Sequence, residues 1–219
     1  MKKIIALVLT MLMILALVAC GTETPDETTP DVTTPEVTTP EDTTPAKGAD
    51  EFFNVAVGKV FDALVPVFEM PAEDIKGAFV GGYFSETEGT NTQGVAGKTP
   101  LDVEDAAATF KNVSLITDDS FAKVEDAAVF HHMMNMNTLA VSSMRVANAS
   151  DVESVANSLK ESVGGNEIWI CGFPERYVVI TVDTYVVSAY GNGAIVNAIK
   201  TAVTETYTNA VVVADGAFA

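Results

Sequence analysis

The spacing of apolar residues changes character several times along the chain. Residues 4–19 are apolar apart from Thr10 and follow Lys2 and Lys3. The run is shorter than the roughly 20 residues of a spanning helix. Its charge lies in front and it ends on small Ala19, which is the form of a secretory signal peptide over residues 1–19. From 20 to 49 the periodicity is gone. Threonine pairs and proline recur every five residues, as in Thr28-Thr29-Pro30 and Thr33-Thr34-Pro35, with acids between them. Proline removes amide donors and blocks helix, and threonine before it favours extended backbone. Residues 20–49 are therefore expected to form a disordered linker, reaching about 90 Å at about 3.1 Å per residue. Threonines beside proline also suit O-linked sugar.

Beyond 50 the pattern becomes that of one folded domain, 50–219. Phe52, Val55, Ala56, Val60 and Leu64 fall at helical spacing, and Pro66 and Pro71 are expected to end that helix. Pro71-Ala72-Glu73-Asp74 reads as a second helix start. A Gly/Thr/Asn-rich loop covers 85–99, and 100–112 restarts a helix. Residues 125–134 and 138–146 read as neighbouring strands around an Asn135-Met136-Asn137 turn. Ser150 and Glu153 have the spacing of a capping box before a helix that runs to Val163. Residues 177–182 and 185–190 read as a hairpin around Asp183-Thr184. A last helix, 191–207, carries Ile195, Ala198, Ile199, Ala202 and Val203 on one face. The expected class is α+β: an antiparallel sheet of about four strands in β-β-α-β-β-α order, helices packed on one face, preceded by a helical segment.

Charge narrows the partners. The chain has 12 Lys+Arg against 30 Asp+Glu, a net charge of −18. From Asp50 onward 23 acids face 9 scattered bases, so the domain itself is near −14. Nucleic acid and anionic lipid are poor partners for such a surface.

Leu17-Val18-Ala19-Cys20 resembles the bacterial lipobox. The resemblance implies that Cys20 receives diacylglycerol, becomes the mature amino terminus and anchors the protein at the outer face of the cytoplasmic membrane. With Cys20 acylated, Cys171 has no intrachain disulfide partner and is read as a small buried hydrophobe. The segment 127–207 resembles an uncharacterised domain of tethered lipoproteins from Gram-positive bacteria. The resemblance is carried by the first strand pair, the helix 150–160, the link around Trp169 and Pro174, the stretch "RYVVITVDTYVVSAYGN", and the helix closing at Tyr207. The sequence departs from that pattern at His131-His132-Met133-Met134. The resemblance implies location and fold, with no catalytic residues and no cofactor.

Three stretches invite chemistry. Gly97-Lys98-Thr99 looks like the end of a phosphate loop, but Thr92 stands where its glycine is required, so a flexible loop is expected. A hydrolase would have to use His131 or His132, no Gly-x-Ser-x-Gly is present, and nothing selects one carboxylate pair. The third is soft-metal binding. On a strand, His132, Met134 and Met136 would share a face and offer an imidazole and two thioethers to Cu(I). Ala127, Ala128, Val129 and Phe130 beside them read as core, so the methionines are expected to be packed away and no tight Cu(I) binding to follow. The sequence thus leads to a membrane-anchored binding or interaction module for a protein, wall polymer or small ligand, with copper binding and cell-envelope hydrolysis as alternatives.

Overall fold

The computed structural model describes residues 47–85, 89–167, 169 and 172–218. All belong to one compact unit, Pro45–Ala219. Cys20, residues 20–46 of the linker and Cys171 lie outside the described residues, whereas Ala49, expected in the linker, is buried as the first residue of the first helix. Helices α1 (Ala49–Phe68) and α2 (Ala72–Lys76) lead into β1 (Phe79–Gly81), followed by β2 (Thr92–Gln93), β3 (Gly97–Thr99), α3 (Glu104–Ser114) and α4 (Asp118–Phe121). Strands β4 (Val124–His132) and β5 (Leu139–Val146) form a hairpin, and a 3-10 turn (Ala149–Asp151) opens α5 (Val152–Gly164). A second hairpin, β6 (Arg176–Val182) and β7 (Tyr185–Gly191), is followed by α6 (Gly193–Thr206) and β8 (Val211–Ala217). No helix among the described residues is long and apolar enough to cross a membrane.

The α+β class holds, but the sheet has eight strands rather than about four. Its order is β2-β1-β4-β5-β7-β6-β8, with every pairing antiparallel. The remaining strand, β3, also pairs with β4. Along one edge of β4, β1 pairs with residues 130–132 and β3 with residues 127–129. Where β1 and β3 pass each other there is no space for side chains: a Cβ on Gly81 would stand 2.3 Å from the backbone nitrogen of Gly97. The Gly97-Lys98-Thr99 stretch is thus a strand. Its Lys98 pairs with Asp126 across β4 at 3.2 Å.

The expectation that the helices share one face is also corrected. One core joins α1, α2 and α6 to Ala128, Phe130, Val141, Ile180 and Val187. The other joins α3 and α5 to Val129, Ala140, Met144, Val179 and Val186. The alternation of strand residues between the two cores shows helices on both sides of the sheet. The reason is topological. From β5 the chain crosses over β7 to β6, and from β7 it crosses over β6 to β8, moving the same way across the sheet. Because β5 and β7 run in opposite directions, two crossovers of the same hand must lie on opposite faces, and one hand is strongly preferred. With both faces covered, β7 is buried along its whole length.

Helix ends differ in detail from the sequence reading. Pro66 does not end α1 but lies exposed in its last turn, and the helix stops at Glu69, whose φ is 53°. Ser150 makes no capping bond, because the chain enters α5 through the 3-10 turn and Asp151 takes the cap position. At α6 the cap is the Asn192 side chain, which accepts from the amides of Ala194 and Ile195.

Asp215 on β8 ties the last crossover to its neighbours, accepting from Arg176 at 2.5 Å and Lys200 at 2.7 Å. Hydrogen bonds from Lys200 and then Arg176 hold its carboxyl below the ordinary 3.8. A carboxylate with a depressed folded pKa adds stability above its unfolded value, and this is lost as pH falls through the folded value. Asp215→Asn is therefore expected to cost under about 1 kcal/mol at neutral pH, as for half-exposed ion pairs. It should also make the stability loss below about pH 4 shallower than in the parent. Urea titrations at pH 7 and pH 3 check both; an unchanged acid slope would mean the cluster contributes nothing.

Candidate functional site

The β4–β5 hairpin turn is polar in its mechanics and apolar in its display. Asn137 donates its amide to the Asn135 side-chain oxygen at 2.9 Å, and Thr138 donates to the Asn135 carbonyl at 3.0 Å. These are ordinary turn bonds. Met133 and Met134 precede these residues and Met136 lies between Asn135 and Asn137; the three are 53%, 83% and 44% exposed. The expectation that they are packed away is corrected: the strand ends at His132, one residue before the first of them.

Beside this turn two clefts of about 670 Å³ and about 660 Å³ adjoin, both lined by Asn112, His131, Met133 and Met136. The first is closed by Trp169, Tyr190 and Leu115, with the amides of Asn135, Asn137 and Asn166. The second runs along Val129 and Val113 towards Tyr83 and Phe84. Four elements contribute to the walls, with β1 supplying Val80. The last turn of α3 supplies Asn112 and Val113, β4 supplies Val129 and His131 on one face, and β7 supplies Tyr190. Trp169 packs on Tyr190 at 5.0 Å and on Phe218 at 5.2 Å, and donates its indole N–H to the Asn166 carbonyl at 3.1 Å. The Tyr190 hydroxyl donates to the Val113 carbonyl at 2.9 Å, and burial pushes its pKa up to about 12, so it remains a neutral donor.

Neither cleft has an Asp, Glu, Lys or Arg in its described lining. In a domain that carries 23 acids and 9 bases this is a marked local depletion. What the walls offer is thioether, imidazole, aromatic surface and side-chain amide.

The two histidines diverge. His131 lies on the same face as Val129 and lines both clefts. Its Nδ1 is 3.2 Å from the His132 carbonyl oxygen. A carbonyl only accepts, so this contact calls for a proton on Nδ1, and in the neutral ring Nε2 then carries the lone pair. His132 points to the other face. It meets the Phe79 ring edge-on at 5.5 Å and lines a smaller pocket of about 210 Å³ with Phe68, Met70, Ile75 and Ile195. Its Nδ1 accepts from the amides of Met134 and Asn135, both at 3.2 Å. Burial and then the charge of His131 hold its pKa below the ordinary value, consistent with a ring that must stay neutral to accept. The structure therefore places His132 in one pocket and Met134 and Met136 in a cleft on the other side of the sheet.

Neither imidazole bonds to a serine, threonine or carboxylate side chain among the described residues. Nor does any group of three His, Cys, Asp or Glu gather there as a metal set. The sequence reading missed Asn112, Asn166 and Tyr190 as cleft walls. Asn112 and Asn166 each sit at a helix end, a position that polar residues take for local reasons, so only their convergence marks them. The chain matches no protein-family model, and no curated protein or solved structure matches it either.

Proposed function

We propose that the chain is a lipid-anchored extracytoplasmic binding module, held off the outer face of the cytoplasmic membrane by its linker, with its ligand taken in the cleft beside the β4–β5 turn. The anchor rests on Lys2 and Lys3, the apolar run to Ala19 and the lipobox-like Leu17-Val18-Ala19-Cys20. Several acyl chains on one residue anchor firmly where one chain is marginal. The observation that carries the binding role is the uncharged lining of the cleft in a domain near −14. Apolar walls with a few convergent polar groups are the usual make-up of a ligand site. The surface acids keep the module soluble, and the depleted cleft favours a ligand that is neutral or soft over a hard ion.

The anchor is tested by phase partition. Full-length chain expressed in a Gram-positive host is expected in the detergent phase of Triton X-114. Cys20→Ala should lose lipid incorporation, while its thermal transition, followed by the fluorescence of Trp169, stays unchanged. Wild-type protein found wholly in the aqueous phase would overturn the lipoprotein reading.

A further inference from the structure

We propose that the mouth of the cleft is a Cu(I) site, with His131, Met133 and Met136 as ligands and Met134 as a further thioether donor. The proposal rests on the binding-module reading only for the choice of cleft, and names the ligand class that the module takes.

Among the described residues, no packing role accounts for the exposure of these methionines. A hairpin turn is ordinarily polar, and Asn135 and Asn137 already supply its bonds. Three large apolar side chains within four residues are left half-exposed or more, or nearly so, and supply none of the side-chain hydrogen bonds that form the turn. Met144, by contrast, is fully buried in the core, where a methionine belongs.

Met133 donates its amide to the Ala78 carbonyl at 2.9 Å, so its backbone is fixed to the sheet beyond the end of β4. His131, two residues earlier, lines the same clefts, and the turn brings Met136 back to both. His132 is a positioning residue, since its Nδ1 holds the amides of Met134 and Asn135 and so sets the loop that carries the thioethers.

A neutral imidazole and thioethers form a soft donor set, which selects Cu(I) over the hard divalent ions. Calcium and magnesium require oxygen ligands, and no carboxylate lines the cleft. The domain's negative charge draws cations towards it from a distance. Copper enters and leaves as Cu(I), and no electron is transferred.

The test is a competition titration of the full chain carrying Cys20→Ala, in mild detergent, anaerobic and reducing, with Cu(I) supplied as its bicinchoninate complex. One equivalent is expected to be withdrawn from the chelator. The methyl resonances of Met133 and Met136 should move while that of buried Met144 stays. Met133→Leu and Met136→Leu, close in volume and at exposed positions, should each weaken binding roughly 100-fold, and His132→Gln about tenfold, the range seen for outer-shell partners. No copper withdrawn, or binding unaffected by both leucine substitutions, would overturn the site. So would binding abolished by Cys171→Ser alone, which would assign the copper to the thiol. Detergent partition of the wild type is read separately, so the anchor and the copper site can fail independently.

Discussion

Phe52→Ala is expected to lower the unfolding free energy by about 3–5 kcal/mol, the range for removing a fully packed aromatic ring. Phe52 is the middle of a three-ring stack. Its ring lies 4.0 Å from that of Tyr185 at 3° and 4.5 Å from that of Tyr207 at 15°. The three rings come from α1, β7 and the end of α6, so one side chain joins a helix pair to the centre of the sheet. Both phenols are also bound: Tyr185 donates to the Lys47 carbonyl and Tyr207 to the Phe52 carbonyl, each at 2.6 Å. Burial, and then the charge of Tyr185, raises the Tyr207 pKa to about 12, so its bond persists to alkaline pH. Truncation leaves two phenols facing a cavity they cannot close without breaking those bonds. Urea unfolding followed by circular dichroism should show a lower midpoint with an unchanged slope. Val55→Ala, half-exposed on the same helix, should change stability by no more than about 0.5 kcal/mol. A Phe52→Ala loss as small as that would mean the stack does not carry the packing.

Asp126→Ala should cost about 1.5–3 kcal/mol, the range for a hydrogen bond to a charged group. The first amides of a helix have no partner within it, and the helix end carries partial positive charge. Gly48 has no side chain to cap α1. The task falls to Asp126 on β4, only 5% exposed, whose carboxylate accepts from the Ala49 amide at 2.7 Å. Ser143 on β5 donates to the Ala49 carbonyl at 3.0 Å. The first turn of α1 is thereby bonded to the middle of the sheet. Lys98 also pairs with Asp126, but its side chain is 60% exposed, so Lys98→Ala should cost under about 1 kcal/mol. Asp126→Asn, which keeps an acceptor, should fall between the two. Equal losses for Lys98→Ala and Asp126→Ala would show that the ion pair carries the effect and not the helix end. A chain begun at Asp50 lacks the bonded residues Lys47 and Ala49, and should show a deficit at least as large as Asp126→Ala.

These two contacts show what the sequence could and could not convey. The apolar spacing around Phe52 announces a helix with a buried face. It says nothing of which rings meet that face, because Tyr185 and Tyr207 are more than 130 residues away. Asp126 reads locally as one more acid on a strand, and only the docking of α1 makes it a cap. The candidate cleft was half legible. His131, Met133, Met134 and Met136 stand out as a run, but the face each takes depends on where β4 ends. Alternation carried past His132 joins His132 to Met134 and Met136, whereas the turn separates them.

By itself the sequence determined the elements whose periodicity is long enough to reveal a face: α1, the β4–β5 and β6–β7 hairpins, α5 and α6, within a few residues of their ends. It also determined the turn at Asp183, whose φ of 50° a short polar side chain tolerates. The starts of α2 and α3 were legible too, whereas tertiary structure decided the short strands, the order of the sheet and the faces that the helices cover. Strands of two or three residues, such as β1, β2 and β3, have no period of their own; the edge of β4 offers hydrogen bonds to β1 and β3, and β1 in turn offers its free edge to β2. The edge strand β8 turns α6 from a terminal helix into a crossover. Two crossovers of one hand, started from antiparallel strands, then send α5 and α6 to opposite faces. That choice leaves the α3–α5 side to form the cleft, because which face a helix covers is fixed by the path of the chain across the sheet and not by the helix's own residues.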